Sequence, residues 1–158
     1  MSTLVGVISD THGVVRPEAL AALAGSSLIV HAGDVGKPEV LDSLAAIAPV
    51  IAVRGNNDKG AWADRLPLTE VVEVESACLY VLHEIDALDL DPSAAGFAAV
   101  IAGHSHQPSS QLRGGVLYLN PGSAGPRRFK LPIALARLRV SGASVEAEIV
   151  HLPVMLPR

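Results

Sequence analysis

Four short apolar runs in this chain end in the same way. Leu4-Val5-Gly6-Val7-Ile8 leads into Ser9-Asp10-Thr11-His12-Gly13, and Leu28-Ile29-Val30-His31 leads into Gly33-Asp34. Val50-Ile51-Ala52-Val53 leads into Gly55-Asn56-Asn57-Asp58, and Ala98-Ala99-Val100-Ile101-Ala102 into Gly103-His104-Ser105-His106. Short β-branched runs bounded by glycine read as strands buried on both faces, the pattern of a parallel sheet. Open α/β sheets collect ligand sites at the carboxyl ends of such strands. One strand-end aspartate is ordinary turn or cap chemistry. Four strand ends that each deliver an oxygen donor or an imidazole constrain the chain far more.

Between the first three runs the pattern is helical. Arg16–Leu23 carries Pro17 in the first turn and Glu18 at the positive end of the helix dipole, with Gly25 as a stop. Pro38–Ile47 places Val40, Leu41, Leu44 and Ile47 at helical spacing, and Pro49 prevents continuation. The first third is therefore strand–helix–strand–helix–strand, the signature of parallel, right-handed crossovers. In the second part, Thr69–Glu75 alternates as a half-exposed strand does, and Cys78–Leu82 reads as a buried strand ending at His83. Asp86–Ala95 is expected to be a helix capped by Asp91 or Ser93. Val116–Leu119 is a short strand, and Ile133–Val140 with Ala143–His151 a closing hairpin around Ser141-Gly142. No linker interrupts the chain, so two packed sheets in one domain, residues 1–158, are expected.

The 158 residues suffice to bury a core of about 70% of the unfolded surface. Hydrophobic residues make up 49% and charged residues 18%, which excludes a disordered chain. With 16 acidic against 12 basic residues, the one basic run is Arg127-Arg128-Phe129-Lys130. Binding to nucleic-acid backbone is thus not expected, although that run suits one phosphate group as well as it suits a solvated loop. The single Cys78 excludes an internal disulfide and a cysteine-based zinc site, and is expected to act as a buried small hydrophobe. Met1-Ser2-Thr3-Leu4 has no basic leader, and no uncharged apolar run of about 18 residues exists, so no signal peptide, no membrane span and a cytoplasmic location are expected.

The candidate metal ligands are Asp10, His12, Asp34, Asn56, His83, His104 and His106. Carboxylate, imidazole and amide oxygen suit Mn, Ni, Zn or Fe. Seven donors exceed what one ion with an open position takes, and suit two ions sharing one carboxylate. His31 and His151 are expected to be structural and superficial respectively, with His31 pointing away from the surroundings of Asp34. The three asparagines, Asn56, Asn57 and Asn120, all lie in glycine-containing strand-end loops. Ser123 and Asn120 are expected to lock loop geometry.

Taken in order, Asp10-X-His12, Gly33-Asp34, Gly55-Asn56, His83 and Gly103-His-X-His106 resemble the calcineurin-like metallophosphoesterases. Gly55-Asn56-Asn57-Asp58 and Asn120-Pro121-Gly122-Ser123, with Pro126-Arg127 following, resemble their small single-domain phosphodiesterase branch. The resemblance runs from residue 4 to about 140. It implies a four-layer αββα sandwich of two mixed β-sheets flanked by helices, and a dinuclear centre of Mn, Ni, Zn or Fe. Carried over by residue, one ion takes Asp10, His12 and His106, the other takes Asn56, His83 and His104, and Asp34 bridges. Asp34, Asn56 and His104 are the implied catalytic residues. The implied reaction is phosphodiester hydrolysis by a hydroxide held between the ions, on a small phosphate-ester substrate, with Arg127 or loop N–H groups steadying the phosphate.

Two positions depart from that pattern. Asn57 stands where many relatives have a histidine suited to protonating the leaving oxygen, which an amide cannot do. Glu84 stands where relatives usually have glycine after the His83 equivalent, so the second metal site is expected to be weaker or differently built. The alternative is a catalytically weak protein-binding scaffold of the same fold, similar to the retromer subunit. The apolar tail Leu152-Pro153-Val154-Met155-Leu156 would suit docking on a partner or on a second copy in a homo-oligomer, or packing on its own domain.

Overall fold

The structure, a computed structural model, describes residues 2–127 and 130–154. It contains strands β1 (Thr3–Ile8), β2 (Leu28–His31), β3 (Val50–Ala52), β4 (Thr69–Val74) and β5 (Ala77–Leu82). These are followed by β6 (Ala99–Ile101), β7 (Ser109–Arg113), β8 (Val116–Asn120), β9 (Ala134–Ser141) and β10 (Ser144–His151). The helices are α1 (Pro17–Leu23), α2 (Pro38–Ala45) and the single turn α3 (Ala61–Asp64). The strands form two mixed five-stranded sheets, ordered β10-β9-β1-β2-β3 and β4-β5-β6-β8-β7. β1, β2 and β3 run parallel in the first sheet, and β5, β6 and β8 run parallel in the second.

The two sheets pack face to face. Val5, Val7 and Val30 from the first meet Leu79, Val81, Ile101 and Leu119 from the second in one buried cluster. This is why the strand runs are apolar without a break: alternate residues face the other sheet, and the rest face an outer layer. On the outer face of the first sheet that layer is helical. Leu23 of α1 and Leu44 of α2 are fully buried against Ile8, Ile29 and Leu135. Each such leucine contributes about 1.5–3 kcal/mol by burial.

The outer layer of the second sheet is different, and corrects the expected helix over Asp86–Ala95. Only one 3₁₀ turn forms there, Ile85–Ala87. Leu88 and Leu90, two residues apart, both pack on Tyr80, Leu82 and Val100, a period-two contact that no helix gives. Pro92 then opens a short turn in which Asp91 Oδ1 accepts from the N–H groups of Ser93 and Ala94 at 3.1 and 3.3 Å. Asp91 is thus a cap, but of a turn. β7 was not anticipated from sequence. Its five residues are all exposed, so it carries no apolar alternation, and it exists because Gly114-Gly115 at positive φ turns the chain back onto β8.

The tail of the described chain packs on its own fold. Leu152 is buried and Val154 lies against the helical core, with the Leu152 N–H donating to Ile133 at 2.8 Å. Met155 and Leu156 lie outside the described residues, as do Arg128 and Phe129 of the basic run. Cys78 is a free thiol of intermediate burial, more open than expected. Among the described residues no helix is long and apolar enough to cross a membrane. The parallel strands of both sheets bring their carboxyl ends to one rim, and the strand-end motifs meet there.

Candidate metal centre

The loop after β1 is held against the loop after β2 by its backbone. The N–H groups of Asp10, His12 and Gly13 donate to Gly33, Asp34 and Val35 at 2.8–2.9 Å. Asp10, His12, Asp34, His104 and His106 all adopt positive φ, between 48° and 72°. Only one other described non-glycine residue does so, Glu75 in a hairpin turn. This conformation costs roughly 1 kcal/mol or more per side chain, and clusters where function demands it. It turns each side chain off the line of its strand at the shared rim.

Glycines allow the loops to touch. A Cβ on Gly103 would collide with Ser9 Oγ and lie 2.6 Å from Asp10 Oδ2, and one on Gly55 would collide with the backbone and carboxylate of Asp34. Gly55 and Gly103, which precede Asn56 and His104, are thus contact surfaces for the neighbouring motifs.

Two groups of donors result. Asp10, His12 and His106 offer atoms within 4.8 Å of one another, and so do Asp34, His83 and His104. Nε2 of His12 and Nε2 of His106 are 3.5 Å apart. In the second group Asn56 Oδ1 lies 2.9 Å from His83 Nε2 and 3.2 Å from His104 Nδ1. Asp34 Oδ2 stands between the groups, 3.3 Å from His83 Nε2 and 3.7 Å from His12 Nε2. All seven residues expected from sequence are therefore brought together at one rim.

The donor set fits metal ions on physical grounds. Asp10 is fully buried, and its Oδ2 accepts from Ser9 Oγ at 2.6 Å and from the His104 N–H at 3.0 Å. Its Oδ1 has no hydrogen bond but lies 3.3 Å from His106 Nε2, 3.8 Å from His83 Nε2 and 3.9 Å from His12 Nε2. A buried charged oxygen without a donor is costly, and a cation among these nitrogens relieves it. His83 Nδ1 lies 2.8 Å from the Ala32 carbonyl, so it donates there and leaves Nε2 as the ligating atom.

The electrostatics follow from the same contacts. Burial pushes the Asp34 carboxyl up, but the His83 ring and the Asn57 N–H outweigh it and hold the group below the usual range. Burial likewise raises Asp10, against His106, Ser9 and His83, which bring it below its ordinary value. For His83 burial opposes the charge, while Asp34 and Asp10 favour it and win, so its pKa is raised.

Several residues at the site were not assigned roles from sequence. Asp58 is buried and accepts from the N–H groups of Val35, Gly36 and Gly55 at 3.2, 2.9 and 2.8 Å, tying the loops after β2 and β3. His31 is structural, as expected, but it does not point away from Asp34's surroundings. Its Nδ1 accepts from the Gly33 N–H at 3.1 Å, so Nε2 carries the proton and donates to Thr11 Oγ1 at 2.9 Å. Thr11 in turn donates to the Val35 carbonyl at 2.8 Å. The signal for both was present, a polar residue inside or beside an apolar run, but their partners are distant in sequence. Asn120 donates to the Gly103 carbonyl and Ser105 Oγ, both at 3.0 Å, and Ser123 Oγ donates to the Asp10 carbonyl at 3.0 Å, as loop locks do. Arg127 is exposed and lines a separate groove with Pro132, Ile133 and His151. Arg54, 3.4 Å from Asp64, lines the cleft beside Asn56 and His83.

Residues 3–143 match the sequence profile of the calcineurin-like phosphoesterase superfamily domain. The chain belongs to this family. Among calcineurin-like relatives, a probable metallophosphoesterase of Methanothermobacter thermautotrophicus is 35% identical over 94% of this chain and 92% of its own. The fold is similar to that of a solved Escherichia coli phosphoesterase, with TM-score 0.69 and 23% identity over 95% of this chain and 100% of that one. It is also similar to vacuolar protein sorting 29 of Cryptosporidium parvum, with TM-score 0.81 and 20% identity over 96% and 92% of the two chains. The last two likenesses show the calcineurin-like phosphoesterase fold alone.

Proposed function

We propose that this protein hydrolyses phosphate esters, diesters in preference to monoesters, at a pair of divalent ions. Asp10, His12 and His106 hold one ion, Asn56, His83 and His104 the other, and Asp34 is shared. The observation that carries this reading is the place of Asp34 Oδ2, within 3.7 Å of a ring nitrogen from each group. Bound together, two ions of the Mn, Ni, Zn or Fe type polarise a phosphoryl oxygen and make water a nucleophile at neutral pH. The protein's own part is orientation. His83 is aimed by Ala32, Asp10 by Ser9, and Asp34 by Asn57, so the donors converge before any ligand arrives.

Asn56 and His104 are exposed and stand on the solvent side of the second group, where a substrate enters. A cleft of about 340 Å³ opens beside them, walled by Leu68, Leu82 and Ala87 with Arg54 among its lining residues. An apolar cleft next to the reacting phosphorus suits the second ester group of a diester, an aryl or similar apolar group. Asn57 offers no proton to the leaving oxygen, which favours esters whose leaving group is a stable anion, such as a phenolate.

The test is turnover of bis(4-nitrophenyl) phosphate by purified protein loaded separately with Mn, Ni, Zn and Fe. Steady release of nitrophenolate that chelation abolishes supports the reading. A folded, loaded protein that turns over neither this diester nor nitrophenyl phosphate overturns it, and leaves the protein-binding scaffold read as the alternative from sequence.

A further inference from the structure

Glu84 follows His83 in extended backbone, φ −110° and ψ 119°. Its Oε1 lies 3.6 Å from His104 Nδ1, the same nitrogen that lies 3.2 Å from Asn56 Oδ1. The side chain is 42% exposed, beside a His104 side chain that is 48% exposed. Its carboxylate makes no hydrogen bond among the described residues. Asp10 and Asp34 reach the centre from the buried side, whereas Glu84 reaches it from the open side.

We propose that Glu84 is an additional carboxylate ligand of the second metal group, reaching it from the solvent side at the edge of the substrate entrance. The chemistry of the donors supports this. The second group otherwise draws charge only from its share of Asp34, since Asn56, His83 and His104 bind as neutral donors. The first group has Asp10 to itself and also shares Asp34. A carboxylate at position 84 evens this imbalance, and hard oxygen donors shift preference towards hard ions such as Mn²⁺. It also places a negative charge at the substrate entrance. A dianionic monoester is repelled there more than a monoanionic diester, so Glu84 sharpens the diester preference.

This inference rests on the two-ion reading above, and the experiment separates the two. Metal equivalents and affinities are measured by calorimetry with Mn²⁺ and Co²⁺ on the full chain and on Glu84→Gln and Glu84→Gly. Thermal unfolding of the metal-free forms checks that each variant folds. The wild type takes two equivalents. In both variants the second equivalent binds about tenfold or more weakly, the first is unchanged, and the visible spectrum of the Co²⁺ at the second site shifts. Second equivalents as tight as wild type, with an unaltered cobalt spectrum, overturn the role of Glu84. A wild type that takes a single equivalent overturns the two-ion reading itself.

Discussion

Asn57 grips both carboxylate oxygens of Asp34: its backbone N–H donates to Oδ1 at 2.9 Å and its side-chain amide to Oδ2 at 3.0 Å. The residue that stands where relatives present a general acid is here a clamp on the shared aspartate. Asn57→His exchanges the clamp for a proton donor. The variant is expected to gain about tenfold or more on alkyl esters relative to nitrophenyl esters, because only a poor leaving group needs the proton. The ratio of the two kcat/KM values measures this, and an unchanged ratio contradicts it.

Asp34 Oδ2 lies 3.7 Å from His12 Nε2 and 3.3 Å from His83 Nε2, so on the proposed two-ion reading its loss is felt by both groups. Asp34→Asn is expected to weaken both metal equivalents and to lower activity by about a hundredfold or more, whereas His106→Ala weakens mainly the first. Metal titration of each variant by calorimetry decides between shared and separate roles. The buried, unbonded Oδ1 of Asp10 and the positive φ at five candidate ligand positions are costs of the metal-free fold. Metal at about 100 times its Kd should therefore add about 3 kcal/mol, raising Tm by roughly 5–10 °C. Differential scanning calorimetry with and without chelator reads this shift.

Two histidines give the protein opposite responses to acid. Burial pushes the His31 pKa down to about 4, whereas an unfolded histidine titrates near 6.5. Below about pH 6.5 the unfolded chain takes a proton that native His31 refuses. The metal-free protein should thus lose about 3 kcal/mol from this group as pH falls to about 4. Chemical unfolding across that range should show the slope, and His31→Phe should flatten it. His83 is shifted upward, so its protonated form stabilises the metal-free fold below the unfolded value, and that gain is lost as pH rises through the raised pKa. The same proton competes with metal. Affinity at the second group should therefore rise as pH passes up through that window, measured by calorimetric titration at several pH values.

Gly103 has room for no side chain, because a Cβ would press on Ser9 and on Asp10 Oδ2. Gly103→Ala is expected to destabilise by about 1–3 kcal/mol and to displace Asp10, weakening the first metal equivalent. Gly96→Ala is a control for destabilisation without contact at the centre, since nothing lies within 4 Å of its added Cβ while its φ of +83° strains any side chain. Equal metal affinity in the two variants would show that the contact with Asp10 is unimportant.

The parts of this fold that the sequence made legible are those whose signal is local. The strands before Asp10, Asp34, Asn56 and His104 show as unbroken apolar runs, and α1 and α2 show by proline starts and leucine spacing. β7 escaped because an exposed edge strand has no apolar face, and 86–95 misled because leucines in a loop that covers a sheet mimic a helix stripe. The candidate ligands were legible because several motifs recur in a fixed order. The ties from Asp58 to Val35 and Gly36 and from His31 to Thr11 were not, since those partners lie on loops remote in the chain.

By itself the sequence determined which residues carry donor atoms and that each stands just past a buried strand, because burial pattern and turn chemistry act over a few neighbours. Only the tertiary structure decided that Asp34 lies between His12 and His83, that Asn57 clamps it, and that Glu84 faces His104. Those distances depend on how strand ends remote in the chain meet, side by side in one sheet for Asn57 and Glu84 and across the two sheets for His83, and glycine contacts and positive φ angles set that meeting.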